Sequence, residues 1–114
     1  YPLGFSAEIF RTGLLREVER STDDPADREH VSLYIYERPE VYKLSNVEAP
    51  HYLRHPEYRL TLDTPEDYEL IRTIFATLYP GNPEFTLYDV VKFLTRRPAL
   101  LDINRHIRQK KARP

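Results

Sequence analysis

Cysteine is absent from the 114 residues, which excludes disulfides and thiolate metal sites. Methionine and tryptophan are absent too, and glycine is scarce at three residues. So few glycines leave no Gly-rich loop of the kind whose backbone N–H groups cradle nucleotide phosphates. No apolar run approaches the ~20 residues that a membrane-spanning helix needs. No secretory-signal pattern is present either, and a cytoplasmic setting is the expectation. Neither sign of charge dominates: 17 basic residues against 18 acidic ones give a net charge of −1. Nothing therefore draws the whole chain toward nucleic acid or an anionic membrane. The basic excess is local. Arg96, Arg97, Arg105, Arg108, Lys110, Lys111 and Arg113 face only Asp102, and this reads first as a solvated terminus and second as a polyanion-binding tail.

What is present suits a small globular domain. A chain of this length makes one domain but hardly two. Nine tyrosines fit positions with one end buried and the other wet. Alternation predicts short strands over Phe5–Phe10, Tyr42–Val47 and Tyr58–Leu62. Helices are expected from Leu14 to Arg20 after a Thr12 cap, and from Pro25, at the first helical position after Asp24, to about Arg38. Two more are expected over Pro65–Tyr79 and over Leu87–Arg97, followed by a last turn from Pro98. Leu70, Ile71, Ile74, Phe75 and Leu78 recur at helical spacing and predict a buried stripe. Thr64-x-x-Asp67 and Thr86-x-x-Asp89 are capping boxes by pattern. The order is that of an α/β domain with few strands.

The most informative stretch is Arg59-Leu60-Thr61-Leu62-Asp63-Thr64-Pro65-Glu66-Asp67. A strand ends on a carboxylate and turns at once into a helix. Asp63 stands where open α/β sheets bind ligands, and one carboxylate there can hold Mg²⁺ against nucleotide phosphates. The competing explanation is that acids simply suit helix N-termini. Arg59 shares the Asp63 face but starts the strand about 13 Å away at about 3.3 Å per residue, so it is not expected at the metal. Glu8 breaks an otherwise apolar strand and reads as an edge charge facing water or as a charge placed there for a purpose. Arg28 can grip a carboxylate or phosphate with two parallel bonds, and His30 either touches substrate or packs as a satisfied histidine. His51 and His55 are four apart, but Pro50 and Pro56 argue against the helix that would pair them as zinc ligands.

Arg59 to Ile71 resembles the C-terminal signature of cytidylyltransferases that activate sugars and sugar acids, nearest to those of spore coat polysaccharide biosynthesis. Phe5–Phe10 (FSAEIF), Asp27–Val31 (DREHV) and Asn104–Ile107 (NRHI) are similar to the family's other motifs, in the family's order. The resemblance implies a mixed three-layer sheet of the nucleotide-diphospho-sugar transferase type, with residues 1–82 as its acceptor-sugar side and 83–114 as a helical extension. It implies transfer of CMP from CTP to a sugar or sugar acid, with Asp63 as a ligand of a divalent cation (Mg²⁺). Glu8, Arg28, His30 and Thr61 are then substrate-binding residues. The family's nucleotide-binding half, with its phosphate loop and second metal-binding Asp, is not seen in this sequence, and Tyr1 is not a start residue. The expectation is a C-terminal half, inactive alone, whose partners are that missing half, CTP, a sugar and, as in the sugar-acid enzymes, a second copy. The other reading is a non-catalytic module of the same half-fold that binds a protein or polyanion.

Overall fold

The computed structural model of the protein describes residues 1–110. Lys111 and Arg113 of the basic tail lie outside the described residues. Two compact units divide the chain. One joins Tyr1–Ala7 to Glu48–Arg108, and the other is built on Glu8–Val47.

The first unit is organised by two capped helices, α4 (Pro65–Leu78) and α5 (Leu87–Arg96). Thr86 caps α5 in full: its hydroxyl accepts from Asp89 N–H, and the Asp89 carboxylate accepts from Thr86 N–H at 2.8 Å. At α4 only half of the expected box forms. The Thr64 hydroxyl accepts from Asp67 N–H at 3.2 Å, but the Asp67 side chain turns elsewhere. Leu70 and Ile74 of α4 meet Val90, Val91 and Leu94 of α5, with Tyr58 and Leu60 completing the core. Leu70 and Leu94 are fully buried, and each such side chain contributes about 1.5–3 kcal/mol relative to exposure. A 3-10 stretch, Pro98–Ile103, brings Leu100, Leu101 and Ile103 against the same core. The helices on either side of residue 82 thus share one interior. Phe75 departs from the predicted stripe. It is half exposed and packs edge-on to Phe85 at 5.0 Å.

The second unit carries α1 (Thr12–Ser21), α2 (Pro25–Glu29) and α3 (Leu33–Tyr36). Asp24 caps α2 as expected, accepting from Ala26 N–H at 2.8 Å. Thr12 does not cap α1; it lies inside the helix, and Arg11 holds the cap position without a side-chain bond. The long helix expected to reach Arg38 is interrupted at His30–Ser32, leaving α2 and α3 as separate short pieces. Val18, Leu33 and Ile35 form the buried set. The Arg38 guanidinium lies 3.6 Å over the Tyr34 ring.

The predicted mixed three-layer sheet is not there. Among the described residues the fold is mostly helical, and the sole β feature is an isolated parallel bridge between Leu3 and Arg59. Leu3 N–H donates to Tyr58 C=O at 2.9 Å and Leu60 N–H to Leu3 C=O at 2.8 Å. The physical reason is that alternation sets which face would be buried, whereas a strand exists only with a partner ladder. Phe5–Phe10 and Tyr42–Val47 have none and run as coil, with Ile9 98% and Val47 82% exposed. Gly4 takes φ +100° beside the bridge, and a Cβ there would collide with the Leu60 carbonyl.

Candidate functional site

The residues after the Leu3 bridge converge on one buried carboxylate. Asp67, in the first turn of α4, is fully buried. A charge buried this way is tolerated only when paired and hydrogen-bonded, and Asp67 accepts five bonds. Arg59 grips it with two parallel contacts, Nε to Oδ1 and Nη2 to Oδ2, both at 2.9 Å. Thr61 Oγ1 donates to Oδ2 at 2.9 Å and Asp63 N–H at 3.0 Å. Asn104 Nδ2 donates to Oδ1 at 2.8 Å and, through its other hydrogen, to the Arg59 carbonyl at 2.9 Å. Burial by itself pushes the Asp67 carboxyl pKa up. The Arg59 guanidinium, the Asp63 N–H, the Asn104 amide and the Thr61 hydroxyl overcome this and hold it well below the usual carboxylate range. The same Asp67 bonds hold Arg59 above its ordinary value.

Asp63 sits at the rim of this network. Its Oδ2 accepts from Arg59 Nη2 at 3.1 Å, while its side chain is 59% exposed. Its other oxygen, Oδ1, has no partner among the described residues. The long Arg59 side chain spans the four-residue separation and reaches both carboxylates. Leu62, expected on the greasy face with Leu60, is 62% exposed. No group of three or more His, Cys, Asp or Glu able to hold a metal occurs among the described residues. Asp67 has its lone pairs filled, so what the network offers a cation is the exposed Asp63 carboxylate, whose Oδ1 accepts no bond among the described residues.

The structure joins Asp63 and Thr61 in this network. Glu8, Arg28 and His30 belong to the other compact unit. Glu8 is exposed. Arg28 pairs with Asp23 at 3.1 Å, and its Nη2 also donates to the Glu19 carbonyl. It lines a groove of about 280 Å³ with Leu15, Val18, Thr22, Asp27 and Val31. His30 is the exposed residue that ends α2. His55 stacks on Tyr58 at 4.4 Å and pairs with Glu57 at 2.9 Å.

The chain is 36% identical over 98 residues to the spore coat polysaccharide biosynthesis protein SpsF of Bacillus subtilis. It is a distant relative of that protein. It is also 33% identical over 111 residues to the uncharacterized protein MJ1063 of Methanocaldococcus jannaschii. These matches take in 85% and 97% of the chain but only 40% and 45% of the relatives, so the chain spans less than half the length of the curated proteins it matches. No family model matches the chain. No solved structure matches it either. No helix among the described residues is long and apolar enough to cross a membrane.

Arg59 and Asp67 are the network residues that sequence reasoning missed. A signal was available for both. Arg59, Thr61 and Asp63 alternate on one face, and three polar side chains on one face of a short apolar segment call for a common partner. Asp67, one turn into the following helix, is in place to provide it. Asn104, in the NRHI motif 37 residues downstream of Asp67, ties the C-terminal end back to the domain through its bonds to Asp67 and the Arg59 carbonyl.

Proposed function

We propose that this chain is part of a nucleotidyltransferase that transfers the CMP group of CTP to a sugar or sugar acid, with Asp63 as one ligand of a divalent cation, Mg²⁺. The observation that carries the reading is the 36% identity over 98 residues with a protein of spore coat polysaccharide biosynthesis. The resemblance of Arg59–Ile71 to sugar cytidylyltransferases supplies the reaction class. The donor set fits the cation as a single ligand. Mg²⁺ takes one or two protein carboxylates and fills its remaining positions with waters and substrate phosphates, and Asp63 Oδ1 is a hard, accessible oxygen.

In this reading a sugar oxygen forms a bond to the α-phosphorus of CTP as the bond to the β-phosphate oxygen breaks, and pyrophosphate leaves. The bound cation would supply charge stabilisation on the phosphate oxygens. The chain's own residues position. Asp63 presents Oδ1, and Thr61 lines the same face from its bond to Asp67. Glu8 accepts bonds from sugar hydroxyls. Arg28 grips an acceptor carboxylate, for which its exposed pair with Asp23 is readily exchanged because such pairs are worth about 0–1 kcal/mol. His30 contacts the same substrate. The reading requires a phosphate-cradling loop and a second carboxylate from a nucleotide-binding part, and it takes a homodimer in the cytoplasm as the working form.

The test is pyrophosphate release by the full-length protein with CTP, Mg²⁺ and a panel of sugars and sugar acids. Turnover with at least one acceptor, lost in Asp63→Asn, is the expected result. No release with any acceptor would favour the non-catalytic binding module.

A further inference from the structure

Asp63 is the exposed end of a relay. Asp67 is buried and takes Arg59 by both Nε and Nη2, so the plane of the guanidinium is fixed by a carboxylate that cannot itself move into solvent. Asn104 adds a second constraint, holding the Arg59 carbonyl and Asp67 Oδ1 with one amide nitrogen. The Asp63 backbone is pinned by its own N–H to Asp67 Oδ2. The shared Nη2 then donates to Asp63 Oδ2. An exposed aspartate at a helix entrance ordinarily samples several rotamers. This one is held at its backbone by Asp67 and at its side chain by the arginine that Asp67 fixes, which leaves Oδ1 without a hydrogen-bond partner among the described residues.

We infer that Arg59 is a positioning residue for the cation ligand: anchored by buried Asp67 and Asn104, it locks Asp63 so that Oδ1 alone is presented. This rests on the proposed role of Asp63. The arrangement follows the general pattern in which a ligating carboxylate is oriented by a hydrogen-bonding partner behind it, and loss of such a partner lowers metal affinity about 10–100-fold. Arg59 also brings a positive charge to within 3.1 Å of the ligand carboxylate. That charge weakens the pull of Asp63 on a bare cation, so a cation already carried on anionic phosphates is the better guest. Arg59 does not touch substrate in this scheme; it acts through Asp63.

The experiment measures free Mn²⁺ by electron paramagnetic resonance in titrations of the full-length protein, with and without CTP. Removing Arg59 alone strands a buried charge, so the informative variant combines Arg59→Gln with Asp67→Asn, which keeps neutral hydrogen-bonding groups in both places. Its fold is checked by far-ultraviolet circular dichroism. Arg59→Lys is measured in parallel; it keeps the charge for Asp67 but lacks the fork that spans both carboxylates. Affinity for Mn²⁺ with CTP is expected to fall about tenfold or more in both. Affinity for Mn²⁺ without CTP is expected to fall less in the double variant, where the repelling charge is gone, than in Arg59→Lys. Wild-type Mn²⁺–CTP affinity in whichever of these variants is folded, with affinity lost in Asp63→Asn, would overturn the positioning role and leave the proposed function standing. Wild-type affinity in Asp63→Asn would overturn the ligand assignment, and the positioning role with it.

Discussion

Replacing Arg59 by Gln tests the buried network as a source of stability. The substitution removes the countercharge and two of the five donors from Asp67 while leaving that carboxylate with no exposure to water. Breaking a buried ion pair by deleting one partner costs about 3–5 kcal/mol. Small domains have only about 5–15 kcal/mol in total, so the change removes a large share. With a urea slope of about 2 kcal/mol per molar, the midpoint should fall by roughly 2 M. The assay is urea unfolding followed by circular dichroism at 222 nm and by tyrosine fluorescence, run with a chelator so that no divalent cation contributes. Combining Arg59→Gln with Asp67→Asn removes the stranded charge and should recover at least half of the loss, giving a coupling of opposite sign to the single effects. A loss below about 1 kcal/mol in Arg59→Gln, the size expected of an exposed pair, together with no recovery in the double variant, would refute the reasoning.

Acid should destabilise the protein through Asp67. Its folded pKa is depressed, so its contribution is complete above the ordinary carboxylate value of about 3.9 and is lost as pH falls below that toward the folded value. The urea midpoint of the wild type should therefore drop more steeply below about pH 4 than that of Asp67→Asn; equal slopes would contradict this. Leu94→Ala opens a fully buried site between α4 and α5 and should cost about 2–5 kcal/mol, read from the same unfolding curves. Gly4→Ala must place a Cβ against the Leu60 carbonyl at a φ of +100°. It should destabilise by about 1 kcal/mol or more and should perturb the amide signals of Leu60 and Thr61 in heteronuclear NMR spectra, whereas Gly13→Ala, with open space around it, should do neither.

The helices were legible where a local chemical rule decides them. Thr86 with Asp89, Thr64 with Pro65, and Asp24 with Pro25 mark α5, α4 and α2 because a cap is satisfied within three residues of itself. The sheet was not legible, because a strand is a relation between segments. Tyr42–Val47 alternates like a strand, yet no described neighbour completes its ladder. The same distinction separates the parts of the site. Asp63, just ahead of α4, stands out as a candidate within the Arg59–Asp67 stretch. Arg59 reaches it because a guanidinium side chain extends well past the spacing of its own backbone. Asp67 fits half of a capping box by pattern, but five donors, two of them from a fixed arginine, outcompete a single backbone N–H for its oxygens. Asn104 stands out within the NRHI motif as a tie to the domain, whereas its particular partner Asp67 depends on how the Pro98–Ile103 turn packs.

The most direct measurement is pyrophosphate release from CTP by the full-length protein, wild type against Asp63→Asn, at saturating Mg²⁺ with an accepted sugar. Turnover should fall about a hundredfold or more, in keeping with the several kcal/mol that a Lewis-acid cation supplies, while the urea midpoint stays near that of the wild type because Asp63 is exposed and contributes to the network mainly through its backbone N–H. Turnover close to wild type in a folded Asp63→Asn protein would show that this carboxylate serves only its helix and its arginine.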